Sequence, residues 1–91
     1  MNHDIEAVLR LHPERVMPED IDAVLVHCDG ATDKQVEDYI AWLYVVSVAL
    51  REHYRVAKYS RWSATAEDFL NASDRAEKHK NDIIKRNKER Q

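Results

Sequence analysis

Histidine, cysteine and carboxylate side chains are the groups best suited to binding metals or moving protons, and in this chain their spacing favours neither. His3, His12, His27, Cys28, His53 and His79 include no pair at i, i+4. A zinc site needs three or four ligands converging tetrahedrally. Only His27 and Cys28 are close in sequence, and adjacent side chains on a helix point about 100° apart. No metal is therefore expected, and Cys28 reads as a core-packing residue. A lone cysteine also forms no internal disulfide, in keeping with a reducing compartment. The carboxylates Glu19, Asp20, Asp33, Glu37, Asp38, Glu67 and Asp68 fall at expected helix beginnings, where capping and the helix dipole account for them. With a single glycine there is no phosphate-cradling loop, and no nucleophile elbow or HExxH motif occurs. The expectation is a protein that is not an enzyme, with no catalytic residues and no cofactor.

The most distinctive functional pattern is Arg51 to Trp62, where cations and aromatic rings interleave. Arg51, Arg55, Lys58 and Trp62 recur at i, i+4, i+7 and i+11, with Arg61 beside them. That spacing forms a stripe able to contact phosphates and to stack a ring on a base. The competing reading has Tyr54, Ala57 and Trp62 closing the hairpin core, with Arg51, Arg55 and Lys58 as its solvated face, so this face is a candidate surface for a partner or for nucleic acid. A helix-turn-helix outline around Gly30 is also present. Its second helix presents Asp33, Glu37 and Asp38 against Lys34 alone, a surface that phosphates would repel.

Positioning these residues falls to helices. At 91 residues the chain supports one domain, spanning 1–91. The only glycine and both prolines lie in its first third. Asp4 is a suitable cap for a helix to about Leu11, and Pro13 ends it. Pro18 and the acids after it suit the start of a second helix running to Cys28, with Asp29-Gly30 as its stop. Thr32 and Gln35 form a capping box for a third helix. Nothing breaks this helix before about Arg61, so it makes a rod of roughly 43 Å. Thr65 with Asp68 opens a fourth helix carrying Ala66, Phe69, Leu70, Ala72, Ala76, Ile83 and Ile84 on one stripe. Its end, about residues 78–91, is basic and thinly apolar, and is expected to fray. The predicted fold is all-α: a long antiparallel helical hairpin with two short N-terminal helices packed on it, a small helical bundle.

In the third helix, Val36, Ile40, Leu43, Ser47, Leu50, Tyr54 and Ala57 form one stripe, and Tyr39, Trp42, Val46 and Ala49 a neighbouring one. Between Tyr39 and Leu50 only Ser47 is polar. Tyr39, Ile40, Trp42, Leu43, Val46 and Leu50 are thus candidates for a core or for an oligomer seam. Twelve residues fall short of the roughly 20 that cross a bilayer, so no membrane span is expected. Asp4 and Glu6 stand where a secretory signal would need basic residues, which points to a cytoplasmic location.

Charge is polarised along the chain. Residues 1–50 hold 3 basic and 10 acidic side chains, and residues 51–91 hold 11 and 7. Such polarity suits self-association or a partner that meets one end only. The favoured function is therefore binding of a macromolecular partner, expected to be a protein, by a small regulatory, adaptor, inhibitor or accessory protein that forms a homo-oligomer. Nucleic-acid binding through the basic and aromatic face and the basic tail is the alternative.

Overall fold

The computed structural model describes residues 1–59 and 63–89. Its regular elements are all helical: α1 (His3–Leu9), α2 (Ile21–Val24), α3 (Asp33–Lys58) and α4 (Ser63–Glu89), with 3₁₀ turns at Pro13–Arg15 and Pro18–Asp20. The long helices α3 and α4 pack as a hairpin, and the N-terminal elements lie against it. The longest dimension is 46 Å and the radius of gyration 13.8 Å. The latter exceeds the roughly 12 Å of a compact chain of this length, because α3 and α4 are long relative to the mass they carry.

The capping box at the start of α3 forms as its residue types require. Thr32 Oγ1 accepts the Gln35 amide at 3.1 Å, and Gln35 Oε1 accepts the Thr32 amide at 3.1 Å. Gln35 does more than cap. Its Oε1 also accepts the Asn2 amide at 3.0 Å, and its Nε2 donates to the Asn2 carbonyl at 3.1 Å. This clasp anchors the start of the chain on α3. Asn2, rather than the expected Asp4, caps α1, because its Oδ1 accepts the Ile5 amide at 3.0 Å.

The expected helix from Pro18 to Cys28 is instead a 3₁₀ turn followed by the four residues of α2. Side chains from three other elements supply the hydrogen bonds that a continuing helix would have made. The Tyr39 hydroxyl donates to the Val24 carbonyl at 2.6 Å and accepts the Val26 amide at 3.0 Å. His79 Nε2 donates to the Val26 carbonyl at 2.8 Å. Asn2 Nδ2 donates to the carbonyls of His27 and Asp29 at 2.8 and 2.9 Å. With these polar groups satisfied, the chain runs on from α2 without regular structure, and Val26 and Cys28 pack against the core. Gly30 is left-handed at φ 73°; it turns the chain into α3 rather than stopping α2.

The buried core joins Ile5 and Val8 of α1, Val16, Ile21 and Val24 to Tyr39, Trp42, Leu43, Val46 and Leu50 of α3. From α4 come Ala72, Ala76 and Ile83. Small side chains at Ala72, Ser73 and Ala76, all buried, let α4 approach α3 closely, and Ser73 Oγ donates to the Ser47 carbonyl at 2.8 Å. α4 begins at Ser63, ahead of the expected Thr65, and α3 ends at Lys58, ahead of the expected Arg61. α4 runs through the basic stretch to Glu89.

Tyr39 is the point where the layers meet. Its ring lies 6.2 Å from Trp42, stacked, and 6.0 Å from His79, edge-on. Burial pushes its hydroxyl up to about 12, the Cys28 thiol adds slightly, and the hydrogen bond from Val26 opposes the shift. An unfolded tyrosine titrates near 10, so the folded state holds this proton more tightly. The resulting stabilisation is intact below about pH 10 and is lost as pH rises toward 12, up to about 2–3 kcal/mol. Tyr39→Phe leaves the Val24 and Val26 backbone groups unpaired and should cost about 1–3 kcal/mol at neutral pH. In urea denaturation followed from pH 7 to 12, the gap between wild type and Tyr39→Phe should narrow above pH 10. A gap constant with pH would contradict this account.

Candidate interaction surface

The residues singled out for an oligomer or core seam are mostly inside the monomer. Tyr39, Leu43, Val46 and Leu50 are fully buried, Trp42 is nearly so, and Ile40 is half-buried. Trp42 Nε1 also donates to the Leu11 carbonyl at 3.0 Å, fastening the chain just after α1. These side chains hold the chain's own layers together.

The basic and aromatic face is largely paired within the chain. Arg51 bonds Glu77 of α4 at 2.7 Å, and Arg55 bonds Glu52 at 2.9 Å. The Lys58 ammonium lies 5.9 Å from the ring centres of both Tyr54 and Tyr59. Arg61 and Trp62 lie outside the described residues. Exposed pairs of this kind contribute little to stability, but each arginine that pairs internally has less charge to offer a phosphate.

The surface that spacing alone did not single out is the outer side of α3. Because Tyr39 to Leu50 is apolar nearly all round, covering one side leaves apolar side chains on the other. Tyr44 is 57% exposed, Val45 36% and Val48 42%. Ala41 is exposed beside them, and Val56 and Tyr59 continue the same side toward the helix end. The burial pattern shows the signal that could have found it: with 39, 42, 43, 46, 47 and 50 inward, positions 41, 44, 45 and 48 must face outward at 100° per residue. The Lys80 ammonium, 5.2 Å from the centre of the Tyr44 ring, and the Arg51–Glu77 pair mark its α4 edge. Acids lie toward the N-terminal end of this face, at Glu37 and Asp38, and Arg55 toward its other end.

A cavity of about 150 Å³ lies between the irregular 26–29 segment, α3 and the C-terminal half of α4, with Val26, Cys28, Val36, His79, Ile83 and Arg86 in its wall. Among the described residues, no group of three or more His, Cys, Asp or Glu side chains is arranged to hold a metal ion. Among the same residues, no helix is long and apolar enough to cross a membrane. In comparisons with known proteins, no family, no curated protein and no solved structure matches the chain.

Neighbouring valines on opposite sides of α3 should respond differently to truncation. Val46→Ala empties fully buried space and should cost about 2 kcal/mol. Val48→Ala should stay within about 0.5 kcal/mol in dilute solution. Thermal or urea denaturation of the two variants checks the assignment, and equal losses would contradict it.

Proposed function

We propose that this chain is a non-enzymatic interaction protein whose binding surface is the outer side of α3, engaged by a macromolecular partner through helix packing. The observation that carries this reading is the uncovered apolar group Ala41, Tyr44, Val45 and Val48 in the middle of the helix whose other side forms the core. A single exposed apolar residue needs no explanation, whereas a contiguous group with a polar rim marks a contact surface. Glu37 and Asp38 at one end, Glu52 and Arg55 at the other and Lys80 alongside provide that rim.

Protein is favoured over nucleic acid as the partner class. The centre of the surface is apolar, its N-terminal end is acidic, and Arg51 and Arg55 pair with carboxylates of the same chain. A contact of this type depends weakly on salt, while one built on several phosphates weakens steeply as salt rises.

Affinity capture with the immobilised chain tests the reading. From nuclease-treated lysate of the source cells, washed at high salt, wild type should retain protein that the Val48→Lys variant does not. Retention that vanishes with nuclease or salt, or that is unchanged by Val48→Lys, would overturn it.

A further inference from the structure

The outer side of α3 has a regular internal spacing. Lys34, Asp38, Ala41, Val45, Val48, Glu52, Arg55 and Tyr59 follow one another at intervals of four and three, and all eight are exposed. Alternation of three and four is the repeat that keeps one seam facing a partner helix along its length. The core of the monomer uses the other side of the helix, so among the described residues this seam has no helix packed on it.

The order of residue types along the seam is not symmetric. An acid (Asp38) precedes the apolar centre (Ala41, Val45, Val48), and a base (Arg55) follows it. Two α3 helices side by side in parallel would set Asp38 against Asp38 and Arg55 against Arg55. Turned antiparallel about a two-fold axis near Val45 and Val48, the same helices bring unlike groups together in one register. Val45 then meets Val48 of the second copy, Asp38 meets Arg55, Ala41 meets Glu52, and Lys34 meets the ring of Tyr59. Each position of one half of the repeat faces its counterpart from the other half, which is the requirement for a closed, self-complementary interface. Arg55, already bonded to Glu52 at 2.9 Å, would lie between that carboxylate and the second copy's Asp38. The opposed helix dipoles add a small favourable term.

We propose that the outer side of α3 pairs with the same surface of a second copy of this chain, antiparallel, with Val45 and Val48 at the centre and Asp38–Arg55 pairs on either side. This inference rests on the reading above that the outer side of α3 is the binding surface, and it names the occupant. The contact between Asp38 and Arg55 is about 26 Å long and one helix wide. That places the dimer at the small end of specific interfaces, among weak and transient contacts.

Sedimentation equilibrium of the full chain across the micromolar range, with helicity followed by circular dichroism, tests the proposal. Wild type should dimerise, and Val48→Lys should weaken the dimer about thirtyfold or more with helicity unchanged. Asp38→Arg and Arg55→Glu should each weaken it about fivefold. An equimolar mixture of those two variants should recover wild-type affinity, because both unlike pairs re-form across the mixed dimer. A fold damaged by either substitution would not be repaired by mixing. Wild type that remains monomeric throughout, or a dimer indifferent to Val48→Lys and to both charge reversals, would overturn the proposal. If wild type is monomeric while Val48→Lys still abolishes capture from lysate, the binding surface stands and only the second copy falls. If neither assay responds to Val48→Lys, both readings fall.

Discussion

The structure depends on how the backbone between Val24 and Asp29 is satisfied. A helix running to Cys28 would have used its own amides and carbonyls; instead Tyr39, His79 and Asn2 bond to them from α3, α4 and the start of the chain. A buried backbone group without a partner costs about as much as a lost hydrogen bond. At Val24 and Val26, where the bonds are buried or partly buried, Tyr39 and His79 are therefore required, and the exposed bonds from Asn2 add to them. Gln35 joins the same arrangement by holding both Asn2 and the start of α3.

From this follows the division of α3 into two sides. The N-terminal elements are tied to the hairpin at Gln35, Tyr39 and Trp42, on one side of the helix. α4 takes the adjoining side through its small residues and the Ser73–Ser47 hydrogen bond. The described elements thereby cover the inward stripe and leave Ala41, Tyr44, Val45 and Val48 exposed. The pairing of Arg51 with Glu77 draws that arginine toward α4, while Glu52 and Arg55 stay on the outer side, which is apolar at its centre and charged at its ends. An exposed apolar centre with unlike charged ends suits helix pairing better than it suits a polyanion.

The all-α hairpin was legible in the sequence because its signals are local. The Thr32–Gln35 box, the absence of breakers after Gly30, and the stepping of apolar residues through α3 each act over a few turns. The premature end of α2 was not legible, because the tyrosine hydroxyl and the histidine that bond its backbone lie 15 and 53 residues away from the groups they meet. No propensity scale sees such partners. Asn2 escaped attention as a cap for a related reason: Asp4 is the better acid for a first turn, but Asn2 has both an acceptor for Ile5 and donors for His27 and Asp29.

The exposed apolar side of α3 was legible only in part. The apolar run Tyr39 to Leu50 marked the segment that carries it, but a segment apolar on all sides does not reveal which side the fold will cover. That is decided by tertiary contacts at Gln35, Tyr39 and Ser47. Arg51 looked available because Glu77 is remote in sequence, whereas the i, i+3 spacing of Glu52 and Arg55 already allowed their pairing.

The central claim is that the side of α3 left open by this arrangement meets its own copy. Isotope-filtered NMR on a mixture of labelled and unlabelled chains tests it most directly. The account predicts intermolecular contacts between the Val45 and Val48 methyl groups. A spectrum at dimer-forming concentrations with no intermolecular contacts, or with contacts confined to other surfaces, would contradict it.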